Sequence, residues 1–227
     1  MEGNTLFLDI ETIPTITPEA IAEANAKIQP PGNYKKPETI AAWEADEKPK
    51  LLNAALSRGG LSAATGQVFC AAVAVDDGPV IPFARWNYGT ADDSEAALLE
   101  ELFTEIGQTA GPATTWVGHY HGKFDLPFLW QRAVVLNVPP QGFRIPFDRR
   151  PGDRQVVDLQ YLWGGWDGQI SLEKLSCLLL GSCAKAMSGE EIWPAVQAGR
   201  IQEVVDHCID DLERTRACYR RFVAMGV

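Results

Sequence analysis

Residues 5–10 constrain the fold of this chain more than any other segment. They read TLFLDI, and Glu11 and Pro14 follow them. An apolar run of this length, closed by a proline, is typical of a strand that is buried on both faces. Side chains two positions apart lie on the same side of a strand, so the carboxylates of Asp9 and Glu11 share one face. Two adjacent carboxylates repel each other unless a divalent cation lies between them.

The Asp-x-Glu pattern alone has little specificity. It occurs at Asp9, at Asp93 and at Asp211, and only the first of these continues an apolar strand. Short patterns of this kind arise readily by chance. Taken alone, the pair is explained at least as well by one acid that caps a turn and one that is solvated.

Composition places the chain among ordinary globular proteins. Its 227 residues are 46% hydrophobic, which is enough to bury the core of one large domain and excludes disorder as the main state. No window approaches 18 apolar residues, so we expect no membrane span, and the N-terminus lacks the basic region of a signal peptide. The five cysteines are odd in number and form no C-x-x-C pair. We therefore expect a reducing, cytoplasmic setting without a disulfide framework or a zinc site.

The net charge of −10 lies entirely in residues 1–120, where 17 acidic residues stand against 7 basic ones. Such a chain is no general binder of polyanions. It suits a nucleic-acid substrate only if metal ions offset the acidic charge locally.

Hydrophobic periodicity predicts a single domain of the α/β or α+β class with a helical C-terminal third. We expect Asp92 or Asp93 to be the N-cap of the predicted helix 94–106. The looser segment at about 14–66 is expected to be an insertion into a single domain that spans residues 1–227. The predicted strands are 5–10, 68–75, 80–86, 114–117 and 155–159, and the predicted helices are 18–27, 37–50, 94–106, 124–137, 171–180, 189–198 and 200–223.

Asp125 stands where a short strand gives way to a helix, in GHYHGKFDLPFL. An acid among large apolar residues is either a helix N-cap or a functional carboxylate, and the N-cap explanation is strong. His119 and His121 form a minor candidate for a metal-binding pair.

The last helix carries a second candidate acid. On a helical wheel Asp211 borders the apolar stripe, whereas Asp210 faces solvent. His207 lies four residues before Asp211 and shares its edge of the helix. A local contact between this histidine and this aspartate explains the pair equally well.

Together these motifs resemble the DEDD (DnaQ-like) superfamily of 3′–5′ exonucleases. The resemblance implies their ribonuclease H-like α/β fold, in which helices flank a mixed β-sheet. The resemblance is closest to the proofreading-type and DNA polymerase B exonuclease-like branch, and it spans most of residues 5–222. Two positions depart from the family pattern, because Tyr120 replaces the usual asparagine and His207 replaces the usual tyrosine. The segments that carry the resemblance are LDIET, GHYHGKFDLPFL, VVDLQYLW with SLEKLSCLLLG, and HCIDDLERTRACY.

The resemblance implies a site in which Asp9, Glu11, Asp125 and Asp211 hold two Mg²⁺ or Mn²⁺ ions. Two such ions activate water and stabilise the leaving 3′ oxygen during phosphodiester hydrolysis. His207 is implied to orient or deprotonate the attacking water. The implied substrate is a nucleic-acid 3′ end, with single-stranded DNA as the first expectation and RNA as the second.

Candidate substrate contacts come from basic and aromatic side chains. The basic candidates are Arg144, Arg149, Arg150 and Arg154, with Lys35 and Lys36 as a second group. Both groups are equally explained as solvated surface charge. The candidates for stacking on a terminal base are Tyr120, Phe124 and Trp130.

Two other functions remain open at this point. One is an interaction module that keeps the DEDD fold but has lost catalysis, which the residues at positions 120 and 207 suggest. The other is a metal-dependent phosphohydrolase that acts on nucleotides.

Overall fold

The computed structural model describes residues 3–148, 155–165, 168–181, 183 and 187–226. The chain divides into two compact units. The smaller is Thr12–Gln67, and the larger combines Met1–Glu11 with Val68–Val227. The expectation of a single domain with an insertion stays a prediction.

A mixed sheet of five strands organises the fold, in the order β3-β2-β1-β4-β5. β1 pairs with β4 and β4 with β5 in parallel, whereas β2 and β3 form an antiparallel hairpin. The carboxyl ends of β1, β4 and β5 therefore lie at one edge of the sheet, which is the usual place for a site in such folds. The strands are β1 (Thr5–Pro14), β2 (Gly66–Val75), β3 (Ile81–Ala84), β4 (Thr115–Gly118) and β5 (Val156–Asp158).

Nine α-helices and one short 3₁₀ helix, Arg58–Leu61, lie within the described residues, and they confirm the predicted sheet with flanking helices and helical C-terminal third. Three of the α-helices belong to the smaller unit: α1 (Pro18–Lys27), α2 (Pro37–Asp46) and α3 (Lys48–Ser57). The other six are α4 (Glu95–Thr109), α5 (Asp125–Leu136), α6 (Leu159–Gly164), α7 (Leu172–Leu180), α8 (Gly189–Gln197) and α9 (Ile201–Val223).

The predicted helix 37–50 is wrong as a single element. The structure has two helices here, and Glu47 stands between them as the C-cap of one and the N-cap of the next. Pro49 explains the break, because proline lacks the N–H that would continue a helix but suits its first turn.

The predicted N-cap of α4 is also wrong. Ser94 caps the helix, and its hydroxyl oxygen accepts a hydrogen bond from the N–H of Ala97 at 3.2 Å. Asp93 instead forms a buried ion pair with Arg85, 2.6 Å away. An aspartate with a guanidinium partner is held by that pair and is not needed at the helix end.

The expectation about cysteines fails for one pair. Cys177 on α7 and Cys183 are joined by a disulfide. Their separation of six residues follows no common motif, so the sequence carried no signal for this bond. Cys70, Cys208 and Cys218 are buried thiols. In the described part of the chain, no helix is both long enough and apolar enough to cross a membrane.

Candidate functional site

Three separate segments of the larger unit carry the candidate acids. Asp9 and Glu11 lie on β1, Asp125 is the first residue of α5, and Asp211 lies midway along α9. We call these four residues the acidic cluster. Burial of apolar neighbours fixes each segment, because β1 is flanked on both sides within the sheet and α9 buries one face.

Two hydrogen bonds connect the segments that carry the acidic cluster. The N–H of Ile10 donates to Oδ1 of Asp125 at 3.2 Å, which ties α5 to β1. The thiol of Cys208 donates to Oδ2 of Asp9 at 3.4 Å, which ties α9 to the same strand. The charge of Asp9 is felt at Asp125, so the two carboxylates that these bonds position lie near each other.

His207 bridges the remaining two acids. Its Nε2 lies 3.3 Å from Oε1 of Glu11 and 3.7 Å from Oδ2 of Asp211. The imidazole is buried, with 3% of its side chain exposed, whereas the two carboxylates keep 15% and 19% of theirs in solvent. The cluster is therefore reached from solvent at Glu11 and Asp211.

Burial and mutual repulsion disfavour full ionisation of the cluster. Burial is the first cause that raises the pKa of Glu11 well above its usual value, and the charges of Asp9, Cys70, Asp211 and Asp125 add to it. Burial also raises the pKa of Asp125, followed by the charge of Asp9, while the N–H of Ile10 partly opposes the shift. Four carboxyl groups thus share a space in which negative charge accumulates unfavourably.

The donor chemistry of the cluster suits a hard divalent cation. Carboxylate oxygens are the ligands that Mg²⁺ and Mn²⁺ prefer, and a cation among them would offset the burial and the neighbouring negative charges that raise the pKa values of Glu11 and Asp125. Among the residues that the structure describes, no three Asp, Glu, His or Cys side chains already stand as ligands around one point. The acidic cluster therefore suits a divalent cation through the chemical type and the charge of its side chains.

The helical-wheel prediction for α9 is confirmed. Asp211 borders the core with 19% of its side chain exposed, whereas Asp210 is 45% exposed and pairs with Arg214 at 2.6 Å. The two neighbouring aspartates thus differ sharply in their surroundings, which makes Asp210 a natural control for Asp211.

The proposed histidine metal pair is wrong. His121 is fully buried, and within the described residues neither of its ring nitrogens has a hydrogen-bond partner. Burial lowers the pKa of His121 to about 3. The ring packs against Gly118, where an added Cβ would lie 2.4 Å from the histidine side chain. His119 donates from Nε2 to the carbonyl of Ile170 at 2.9 Å, so both rings serve packing and local structure.

The candidate stacking residues have different surroundings. Tyr120 is 44% exposed and adopts a left-handed backbone conformation, with φ of 57°. Phe124 is half-buried against the ring of Phe128, at 5.4 Å between centroids. Trp130 stacks on Phe147 at 4.0 Å. Only Tyr120 among the three candidates has no ring contact of this kind within the described chain.

Among the candidate basic residues, the structure describes Arg144, Lys35 and Lys36. Arg144 is exposed and pairs with Asp148 at 2.6 Å. Lys35 and Lys36 are exposed residues of the smaller unit. The other three predicted arginines, Arg149, Arg150 and Arg154, lie outside the described residues.

Sequence reasoning missed two residues that hold the site together. Cys208 contacts Asp9, as described above, and no motif in the sequence predicts this contact. Asp158, at the end of β5, is buried and accepts hydrogen bonds from three backbone N–H groups. Asp158 directly precedes α6, and an aspartate in this place is a recognisable N-cap. The sequence does not predict its hydrogen bonds to residues far away in the chain.

Comparisons with known proteins identify a family and a similar fold. Residues 64–226 match a family described as a predicted 3′–5′ exonuclease related to the exonuclease domain of PolB. Among solved structures, the family B DNA polymerase from the hyperthermophilic archaeon Pyrobaculum calidifontis is similar, with a TM-score of 0.54 and 16% sequence identity. The similarity covers 97% of this chain and 24% of the polymerase chain, so this chain spans about a quarter of that protein. No curated protein sequence matches the chain.

Proposed function

The chain belongs to the family of predicted 3′–5′ exonucleases related to the exonuclease domain of PolB, and on this basis we propose that it removes nucleotides from nucleic-acid 3′ ends with divalent cations. The observation that carries the proposal is the convergence of Asp9, Glu11, Asp125 and Asp211 from β1, α5 and α9. The three segments are far apart in sequence, and burial, together with the charges of the other acids, raises the pKa of Glu11. A structural role alone does not account for placing them together.

The acidic cluster would hold two Mg²⁺ or Mn²⁺ ions. Bound ions of this kind supply an activated water and stabilise the leaving oxygen of a phosphodiester. The chain's own contribution is to fix the carboxylates beforehand. The N–H of Ile10 holds Asp125, and the thiol of Cys208 holds Asp9.

His207 is suited to handle a proton beside the scissile bond. Its Nε2 is the atom that contacts Glu11 and Asp211, and an imidazole exchanges protons near neutral pH. In the proposed hydrolysis Nε2 orients the attacking water and takes its proton. The water oxygen then bonds to phosphorus, the bond to the 3′ oxygen breaks, and that oxygen takes up a proton from solvent. The proton on the ring is held between two carboxylates.

Single-stranded DNA is the proposed substrate, with RNA as the second choice. Tyr120 offers an exposed ring on which a terminal base can stack, and such stacking does not depend on base identity. The acidic cluster repels phosphates until cations are bound, so binding is expected to be weak and confined to free ends.

Digestion of end-labelled oligonucleotides tests the proposal. With Mn²⁺, DNA labelled at its 5′ end should shorten to a ladder from its 3′ end, and a 3′-phosphorothioate or blocked 3′ end should resist. Asp9→Ala and Asp211→Asn should abolish this digestion, while the matched variant Asp210→Asn should keep it.

Three results would overturn the proposal. One is the absence of Mn²⁺ binding at millimolar concentration, which favours an interaction module that has lost catalysis. Another is hydrolysis of mononucleotides without digestion of oligonucleotides, which favours a nucleotide phosphohydrolase. The third is equal loss of activity in Asp210→Asn and Asp211→Asn. Matched DNA and RNA oligonucleotides in the same assay identify the preferred sugar.

A further inference from the structure

Asp158 holds a segment far from it in sequence. It ends β5 and is buried, with 3% of its surface exposed. Its Oδ1 accepts from the N–H of Tyr120 at 3.0 Å, and its Oδ2 accepts from the N–H of Gly122 at 3.2 Å. We call residues 119–124, which join β4 to α5, the β4–α5 turn. One carboxylate thus fixes the middle of this turn through two bonds.

These bonds go beyond helix capping. As the N-cap of α6, Asp158 needs only its bond from the N–H of Gln160 to Oδ1, at 3.0 Å. The bonds to Tyr120 and Gly122 add nothing to α6 and cross 36 to 38 residues of sequence. They serve the turn, and all three N–H donors are satisfied by a single buried side chain.

The turn requires such a support. Tyr120 has a φ of 57°, a left-handed conformation that residues with a Cβ disfavour. A backbone of this kind persists only where its surroundings hold it. The bond from the N–H of Tyr120 to Asp158 acts at the strained residue itself.

The β4–α5 turn also determines where Asp125 lies. The N–H of Phe124 donates to the carbonyl of Tyr120 at 3.0 Å, and the N–H of Leu126 donates to the carbonyl of His121 at 3.1 Å. The residues on both sides of Asp125 are therefore bonded back to the turn. From this position its carboxylate receives the N–H of Ile10 and enters the acidic cluster. The charge of Asp158 is itself felt at Asp125, which places the two carboxylates near each other.

We propose that Asp158 is a positioning residue for the exonuclease site: its carboxylate fixes the β4–α5 turn and so places Asp125 among the cation ligands and Tyr120 at the surface. The inference rests on the proposed function and assigns Asp158 no contact with cation or substrate. The side chain acts through the backbone of the turn.

Two variants separate the turn from the helix cap. Asp158→Asn keeps the shape of the side chain, but its amide nitrogen is a donor and cannot accept the N–H of Gly122. Asp158→Ser remains a good N-cap for α6, yet its shorter side chain gives up the bonds to the turn. Asp93→Asn is the matched control, because Asp93 also accepts a backbone N–H, from Gly89, and pairs with Arg85. It loses a buried carboxylate without touching the turn.

Three readouts on the full-length chain test the proposal, all below the melting temperature of each variant. In both Asp158 variants, hydrogen exchange of the peptide that covers residues 118–126 should accelerate. Mn²⁺ affinity, measured from the EPR signal of the free ion, and kcat on 5′-labelled DNA should each fall by about 10–100-fold, as is usual when the support of a metal ligand is removed. Asp93→Asn should lower the melting temperature while leaving all three readouts at the wild-type level.

Each contrary outcome has a defined meaning. Unchanged exchange of residues 118–126 overturns the assignment whatever the activity. Faster exchange with wild-type Mn²⁺ affinity and kcat also overturns it, because Asp158 then only ties the fold together. A wild-type chain that neither binds Mn²⁺ nor digests DNA overturns the proposed function and the assignment with it, whereas an active wild type with an equally active Asp158→Asn overturns the assignment alone.

Discussion

The buried imidazole of His121 should make the fold sensitive to mild acid. Burial without hydrogen-bond partners lowers the pKa of His121 to about 3, against about 6.5 in an unfolded chain. Between these two pH values the unfolded chain binds a proton at His121, whereas the folded chain does not. The contribution of neutral His121 to the free energy of unfolding is therefore fully present above about pH 6.5 and is lost progressively as the pH falls below that value. One pH unit below that value, at about pH 5.5, the loss is about 1.4 kcal/mol.

Replacement of His121 by leucine isolates this effect. Urea unfolding of the wild type and of His121→Leu at pH 7.5 and pH 5.5 gives four free energies of unfolding. The difference between the two chains should shift by about 1.4 kcal/mol in favour of the variant between these pH values. Every other titrating group is present in both chains and cancels, as does any change in packing. A difference that stays the same at both pH values would refute the reasoning.

Three further outcomes are expected. Glu11→Gln should stabilise the cation-free chain at pH 7.5 by about 1.4 kcal/mol for each unit by which the pKa of Glu11 is raised. Thermal unfolding should show this gain vanish as the pH falls below the usual pKa of a glutamate, where Glu11 is protonated in both states. Arg132→Met should cost about 3–5 kcal/mol in urea unfolding, because it strands the buried carboxylate of Glu95, while the double variant with Glu95→Leu should lose much less. His207→Ala should lower kcat on DNA by about 10²–10⁴-fold, and an unaltered kcat and pH profile would remove this residue from the mechanism.

Secondary structure was predictable wherever one local signal dominated. The apolar run of β1, the Asp-Asp-Gly-Pro turn between β2 and β3, and the stripe of α9 all specify their elements within a few residues. Failures occurred where two signals competed. At α4, Ser94 and its neighbouring acids are all good caps, and the choice was decided by the distant partner of Asp93, which is Arg85. Local sequence carries no information about such a partner.

The candidate site was predictable in its chemistry but not in its supports. Carboxylates at strand and helix ends can be read from the sequence, since their type and position follow from periodicity. The side chains that hold them cannot be read in this way. The thiol of Cys208 reaches Asp9 across 199 residues of sequence, and Asp158 reaches the β4–α5 turn across 36 or more. Contacts of this range depend on how helices and strands pack, which the sequence determines only through the whole fold.

The supports explain how a cluster of acids survives folding without a cation. Asp125 accepts a backbone N–H, Asp9 accepts a thiol, and Nε2 of His207 lies beside the carboxylates of Glu11 and Asp211. The raised pKa values of Glu11 and Asp125 further reduce the charge, because protonated carboxyl groups do not repel. In the proposed function, a cation would exchange protons for metal charge at carboxyl groups that are already in place. The cost of bringing the four acids together would then be met during folding, when burial of the sheet and of α9 supplies the driving force, and not by the cation.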